Sequence, residues 1–178
     1  MKLLKTALSL AMALTLLIPF TALAFEEGYG ANGVEESKTY TVGQMLVYAL
    51  QDEYLARAEY RDIMATFQVN RPFSNIERAE NQHIALLMPL FEAYGVTVPE
   101  DDAKEHLALP KTLDEIYQLG VQAEENNIAM YNAFLSREDL PEDVQSVFER
   151  LLRASQNHLS AFSNQANRGQ NGGGRWRK

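Results

Sequence analysis

Two stretches of the sequence place a polar residue three positions before a histidine. The first, AENQHIALL at 79–87, holds Glu80 and His83, and the second, ASQNHLSAF at 154–162, holds His158. Residues three apart lie on one face of an α-helix, so a carboxylate and an imidazole at this spacing can reach one metal ion. The chain has three histidines and no cysteine, so a metal site must use oxygen and imidazole ligands.

Apolar residues at helical spacing predict four helices that could carry these groups. Their expected bounds are about 42–68, 74–94, 113–136 and 141–165. A Ser or Thr followed three residues later by Glu or Gln should cap three of the helix starts, at Thr41, Ser74 and Thr112. Gly95 should close the second helix, because glycine readily adopts the left-handed conformation that ends many helices.

The connections between these helices differ in length. The first and last are short, so each should join two helices into an antiparallel hairpin. The middle connection, about Val96 to Lys111, reaches about 50 Å when extended, whereas a helix of about 21 residues is about 32 Å long. The expected fold is therefore all-α: a four-helix bundle of two antiparallel hairpins joined by one long crossover.

Each predicted helix carries ligand-type residues within its apolar stripe. They are Glu53 on the first helix, Glu80 and His83 on the second, Glu124 with Glu125 at the stripe edge on the third, and His158 on the fourth. A carboxylate inside an apolar bundle is strongly destabilising unless it is paired, and facing carboxylates also repel one another. A bound divalent or trivalent cation would offset both effects, so these six residues are the candidate metal ligands.

A metal-free interpretation stands beside this one. A buried polar network could satisfy the same groups, and either inward histidine could simply be hydrogen-bonded in the core. Glu53 could pair with Arg57 instead. Tyr60 and Tyr131 could support the ligands, although aromatic residues at helical spacing are more often core. His106, in the acidic crossover, is expected to be exposed.

The two ends of the chain differ from its centre. Residues 1–24 have two lysines, a short apolar run and a small-x-small ending, which is typical of a secretory signal peptide. We expect a flexible lead-in at 25–39, the helical domain at 40–165 and a disordered, basic, glycine-rich tail at 166–178. Export to the periplasm or the cell exterior follows, with a soluble mature chain. The alternative is an uncleaved N-terminal anchor.

The net charge of −8 argues against nucleic acid as a partner and suits cations. Metal ions are thus the expected partners, and a second copy of the chain, as a homodimer, is a further candidate.

These residues resemble the ferritin-like superfamily of carboxylate-bridged di-iron proteins, with its rubrerythrin and bacterioferritin branches. The sequence is more similar still to an exported ferritin-like family with a domain of unknown function. The resemblance covers about 40–165 and depends on four stretches, DEYLARAEY at 52–60, AENQHIALL at 79–87, EENNIAMY at 124–131 and SQNHLSAF at 155–162. It departs from the superfamily at Ser155, where a second Glu-x-x-His would begin.

The resemblance implies one or two iron or manganese ions held by Glu53, Glu80, His83, Glu124 or Glu125, and His158. It implies an oxidoreductase that acts on oxygen or peroxide, similar to a ferroxidase or peroxidase, with an external electron donor. Two alternatives remain. One is a non-catalytic metal-binding or metal-buffering module of the cell envelope, and the other is a metal-free helical interaction domain.

Overall fold

The computed structural model describes residues 28–35 and 37–171, with side chains through residue 168. The predicted signal peptide and residues 172–178 of the predicted tail lie outside this range. All regular elements within it are helical, which confirms the predicted all-α class. The four long helices are α1 (Val42–Phe67), α2 (Phe73–Ala93), α3 (Leu113–Leu135) and α4 (Glu142–Asn171), and two short 3-10 helices span Gly30–Gly33 and Ala103–His106.

Capping explains three of the helix ends. Thr41 and Thr112 each form the predicted capping box, with Gln44 and Glu115 respectively. The predicted box at Ser74 is wrong: α2 begins at Phe73, and the Ser74 N–H already donates to the Asn70 carbonyl at 2.8 Å. Gly95 closes α2 as expected, with φ of 61° and an N–H bond to the carbonyl of Glu92.

Contacts along the helices show how they pair. Arg61 on α1 binds Glu77 on α2 at 2.8 Å, where α1 ends and α2 begins, so this pair is antiparallel. Tyr94, at the end of α2, donates to Asp143 at the start of α4 at 2.6 Å.

The hydrogen bonds of Tyr60 and Tyr131 described below make α1–α3 antiparallel. Phe134 packs near Phe148, and Gly120 lies beside Phe162, so α3–α4 is antiparallel as well. Each helix therefore packs against two antiparallel neighbours, which buries the apolar stripes between them.

The crossover between α2 and α3 follows from this arrangement. Both helices are antiparallel to α1, so the end of α2 and the start of α3 lie at opposite ends of the molecule. The connecting chain returns along α1, where Ala103 is buried and Asp101 forms an ion pair with Arg57. Arg57 is thus engaged by the crossover. His106 is exposed, as expected, and its ring stacks on Tyr29 with centroids 3.9 Å apart.

The core is divided into two apolar clusters. One contains Leu87, Tyr131, Phe134, Phe148 and Leu151, and the other contains Tyr60, Ile63, Phe73, Ile76 and Phe162. On α2, α3 and α4 the buried polar residues occupy the turns between these clusters. No helix in the described part of the chain is sufficiently long and apolar to span a membrane.

Residues 25–39 are expected to be flexible, but part of this lead-in packs on the helices. We call residues 28–35 the N-terminal strap. The Ala31 N–H donates to Asp52 Oδ1 on α1 at 2.9 Å, and Asn126 on α3 donates to Asn32 at 3.0 Å. Gly30 has φ of 58°, and a Cβ there would lie 2.8 Å from Asp52 Oδ1. The glycines therefore permit close approach to α1.

The predicted tail also needs a correction, because α4 continues through residue 171. Residues 166–171 contain one glycine, Gly169. Glycine lowers the stability of a helix by only about 1 kcal/mol relative to alanine, so one glycine need not end α4.

We expect Gly30→Ala to destabilise the chain more than Gly95→Ala. Both glycines have a positive φ, which costs an alanine about 1–2 kcal/mol. Only Gly30 also faces a clash, since nothing lies within 4 Å of a Cβ built at Gly95. Urea unfolding of the two variants measures the difference. Equal losses of unfolding free energy would show that the strap is not packed tightly on α1.

Candidate metal centre

Five ligand-type side chains converge in the middle of the molecule. They are Glu53, Glu80, His83, Glu124 and His158, and each is at most 8% exposed. The periodicity of four separate helices predicted this convergence. The sixth candidate, Glu125, is exposed and lies outside the cluster, because one residue along an α-helix turns the side chain by about 100°. Glu124 is therefore the α3 residue at the site.

The first half of the centre joins α1 and α2. Nδ1 of His83 lies 2.6 Å from Oε2 of Glu80 and 3.1 Å from Oε2 of Glu53. Ligand atoms of these three residues all lie within 4.8 Å of one another, close enough to hold one metal ion. Glu80 and His83 are three apart on α2, as the sequence motif requires.

The second half joins α2, α3 and α4 and uses the other oxygen of Glu80. Nδ1 of His158 lies 3.3 Å from Oε1 of Glu80 and 3.4 Å from Oε1 of Glu124. These three residues form a second group whose ligand atoms lie within 4.8 Å of one another. Glu80 thus offers one oxygen to each half and could bridge two ions.

Two buried tyrosines form hydrogen bonds between α1 and α3 at the centre. Tyr60 on α1 donates to Oε1 of Glu124 at 3.1 Å, and Tyr131 on α3 donates to Oε1 of Glu53 at 3.0 Å. Each tyrosine lies seven residues after the carboxylate of its own helix. The repeated spacing was visible in the sequence, but the crossed hydrogen bonds depend on how α1 and α3 pack. Both tyrosines belong to the core and also orient the ligands.

Ser155 breaks this internal symmetry. It is buried on α4 three residues before His158, where α2 carries Glu80 before His83. Its hydroxyl donates to the Leu151 carbonyl of its own helix at 3.2 Å. Helix α4 therefore supplies one imidazole to the centre and no carboxylate.

Burial and mutual repulsion govern the protonation of these carboxylates. Burial, with the charge of Glu53, raises the pKa of Glu80 well above its usual value. Burial also raises the pKa of Glu124, although His158 and Tyr60 oppose the shift. Burial acts the same way on Glu53, but hydrogen bonds and the charge of His83 outweigh it and lower its pKa. Glu80 and Glu124 therefore hold their protons more strongly than a free glutamate does.

Asp52 and Asn127, which the sequence patterns did not single out, lie beside the centre. Asn127 on α3 donates to Oδ2 of Asp52 at 2.6 Å, so Asp52 links the strap, α1 and α3. Burial raises the pKa of Asp52 to about 8, and burial together with Glu124 raises that of Glu59 to about 7. The available signal was position: Asp52 precedes Glu53, and Asn127 is one helical turn after Glu124.

We expect the metal-free chain to lose stability as the pH rises from about 4.5 to 8. Carboxyl groups with raised pKa values bind more protons in the folded state than in the unfolded state over this range, so the free energy of unfolding falls. The loss should be about 3–6 kcal/mol, since one pKa unit corresponds to about 1.4 kcal/mol and the pKa of Asp52 alone rises from 3.8 to about 8. Glu53 acts in the opposite sense only below its ordinary pKa of 4.5.

Urea unfolding between pH 5 and pH 8, with a chelator present, measures this dependence. Glu124→Gln should flatten it, whereas Glu125→Gln, which changes the exposed neighbour, should leave it unchanged. Identical slopes in these two variants would contradict the electrostatic account.

The comparisons with known proteins support the fold. The uncharacterized protein MJ0754 from Methanocaldococcus jannaschii is 26% identical to this chain over 133 residues, which cover 66% of this chain and 70% of that protein. A crystal structure of hypothetical protein MJ0754 from Methanococcus jannaschii superposes with a TM-score of 0.65. That match covers 77% of this chain and 86% of the other at 21% identity, a level that establishes the fold alone.

A family match covers most of the chain, including all five buried ligand-type residues. The matched segment, residues 43–175, begins in the first turn of α1 and extends beyond the end of α4. The chain belongs to the family described as Uncharacterized protein domain (DUF2202).

Proposed function

We propose that this chain is an exported, ferritin-like metalloprotein that binds iron or manganese and reacts with oxygen or peroxide. The observation that carries the proposal is the pair of three-residue ligand groups that share Glu80. Ferritin-like di-metal proteins use a Glu from each of two helices and a Glu-x-x-His from each of the other two. Here α1, α2, α3 and α4 supply that set with a single departure, at Ser155.

The donor set fits such a metal. Carboxylate and imidazole ligands together suit iron and manganese, and thiolates are not needed. Oε2 of Glu124 is buried and has no hydrogen-bond partner within the part of the chain that the structure describes. A buried carboxylate oxygen without a partner is strongly unfavourable. A cation near Glu80 and Glu124 would satisfy this oxygen and neutralise the facing carboxylates.

The surrounding residues would shape the chemistry. Bound iron or manganese would supply redox chemistry with oxygen or peroxide. Hydrogen bonds from Tyr60 and Tyr131 fix the orientation of Glu124 and Glu53, as partners of metal ligands commonly do. The two apolar clusters flank the buried polar residues on either side. Reducing electrons would come from an external donor, because a chain without cysteine carries no thiolate-bound iron–sulfur centre.

Peroxide consumption tests the redox part of the proposal. The chain is loaded anaerobically with ferrous iron, and hydrogen peroxide is then added. The bound iron should be oxidised faster than free ferrous iron. More peroxide should be consumed when a reductant is also present. Glu80→Gln should lose this activity, because Glu80 serves both ligand groups. Oxidation at the rate of free iron would contradict a redox role.

A second candidate function is metal binding without turnover. The departure at Ser155 favours it, because the fourth helix lacks the carboxylate that ferritin-like sites normally have there. Stoichiometric binding of iron or manganese without peroxide consumption would select this function. An unchanged melting temperature with and without metal would instead favour the metal-free interaction domain, in which the existing hydrogen bonds satisfy His83 and His158.

Export is a separate part of the proposal and depends on residues 1–24. The N-terminal sequence of the protein recovered from the producing cells tests it. A mature chain that begins at residue 25 supports export, and an intact leader on all of the recovered protein contradicts cleavage.

A further inference from the structure

The two halves of the centre differ at one position that faces the metal ligands. Glu53 and Glu124 correspond to each other, as do His83 and His158, but Ser155 has no carboxylate to match Glu80. Ser155 is only 4% exposed, so a ligand beside it would be shielded from bulk solvent. Its hydroxyl is bound to the backbone of its own helix. The α4 side of the centre therefore lacks one anionic group.

A second asymmetry lies in the same half. Both oxygens of Glu53 have partners, since Oε1 accepts from Tyr131 and Oε2 contacts His83. Glu124, at 3% exposed, has partners only at Oε1, and its Oε2 has none among the described residues. The distances from His158 to its carboxylates, 3.3 and 3.4 Å, also exceed those from His83, 2.6 and 3.1 Å. The second half is the less complete one.

Charge leads to the same conclusion. Two divalent ions would carry four positive charges, whereas Glu53, Glu80 and Glu124 supply three negative ones when ionised. One monoanion would balance the remainder. Acetate or formate has the charge and coordinating atoms of a glutamate side chain, and it corresponds in size to the part of that side chain that serine lacks.

We propose that a small exogenous monocarboxylate, the size of formate or acetate, binds beside Ser155 and completes the metal position formed by Glu80, Glu124 and His158. This inference rests on the proposed metal binding. The position formed by Glu53, Glu80 and His83 has the same donor types, but its histidine lies closer to both carboxylates, so it should bind its ion without the added ligand. The chain would thus bind one ion unaided and a second ion together with the carboxylate.

Titration with manganese chloride, followed by the electron paramagnetic resonance of free Mn²⁺, tests this in a buffer without carboxylates. The first equivalent should bind with the same affinity with and without sodium acetate. The second should bind about tenfold more tightly or better when acetate is present, in line with the loss that follows removal of a ligand's support. A second equivalent that ignores acetate, or that binds as tightly as the first without it, would overturn the inference.

Two variants at the same position sharpen the test. Ser155→Glu supplies a tethered carboxylate, so both equivalents should bind tightly and independently of acetate. Ser155→Gln adds the same bulk without charge and should show no tight second equivalent. If Glu and Gln behave alike, the missing group is not a carboxylate.

Folding of the variants is checked by circular dichroism, and the acetate titration of the unaltered chain decides the question even if neither variant folds. The two proposals fail differently. Absence of a first equivalent contradicts metal binding itself, whereas a first equivalent lost in His83→Ala, with a second that ignores acetate, contradicts only the carboxylate proposal.

Discussion

Replacing Glu80 with glutamine should abolish metal binding at both positions and also stabilise the metal-free chain. Glu80 is the one residue common to both ligand groups, with Oε2 toward His83 and Oε1 toward His158. An amide cannot supply the anionic bridge, so metal affinity should fall by more than about 100-fold, beyond the range for loss of a supporting group.

The gain in stability has a separate cause. Burial and the charge of Glu53 raise the pKa of Glu80. Near neutral pH the unfolded chain has released this proton, so folding requires the carboxyl group to take it up again, which costs free energy. Glutamine removes that cost, and the free energy of unfolding should rise by about 0.5–2 kcal/mol, typical of changes that relieve functional strain. Metal titration and urea unfolding at pH 7.5 measure the two effects.

Glu77→Gln is a useful comparison because Glu77 lies one turn earlier on α2 and binds the exposed Arg61. That variant should retain metal and gain no stability. If Glu80→Gln kept either metal equivalent, Glu80 would not be the shared ligand. If it lost stability, the buried carboxylate would be stabilising in the absence of metal.

Alanine at the three histidines should separate ligands from bystanders. His83→Ala should remove the first equivalent of metal, and His158→Ala the second, because each ring faces one ligand group. His106→Ala should leave metal content unchanged, since His106 is exposed and stacks on Tyr29 in the crossover. Metal content after desalting into a buffer that contains acetate, determined by elemental analysis, measures all three.

The two inner histidines should also differ in degree. His83 lies closer to its two carboxylates than His158 does. The loss of metal affinity in His83→Ala should therefore exceed the loss in His158→Ala by at least about tenfold. Equal metal loading in all three alanine variants would contradict the assignment of both ligands.

Helical periodicity was sufficient to predict which ligand-type side chains face the core. Glu53, Glu80, His83, Glu124 and His158 could each be placed inward from the apolar residues of their own helices, and the structure brings all five together. Two of the three capping boxes were also predictable, because they depend on residues three apart. Local patterns thus determine helices and the faces that they bury.

Contacts between distant segments were not predictable in this way. The glycines of the strap suggest flexibility in the sequence. In the structure, however, Gly30 lies so close to α1 that a Cβ would not fit. Ser74 fits the pattern of an N-terminal cap, but α2 begins one residue earlier, at Phe73. The crossed bonds of Tyr60 and Tyr131, and the link from Asp52 to Asn127, depend on the register of α1 against α3, which no single helix reveals.

The most direct test of the metal centre is elemental analysis of the chain from residue 25, purified without chelator and reloaded anaerobically with ferrous iron. We predict one or two equivalents of iron, lost in His83→Ala. Melting should occur at a higher temperature with metal than after chelation, since a ligand at 100 times its Kd adds about 2.7 kcal/mol to the free energy of unfolding. No stoichiometric metal, and the same melting temperature in both states, would mean that these five residues form a buried polar network instead.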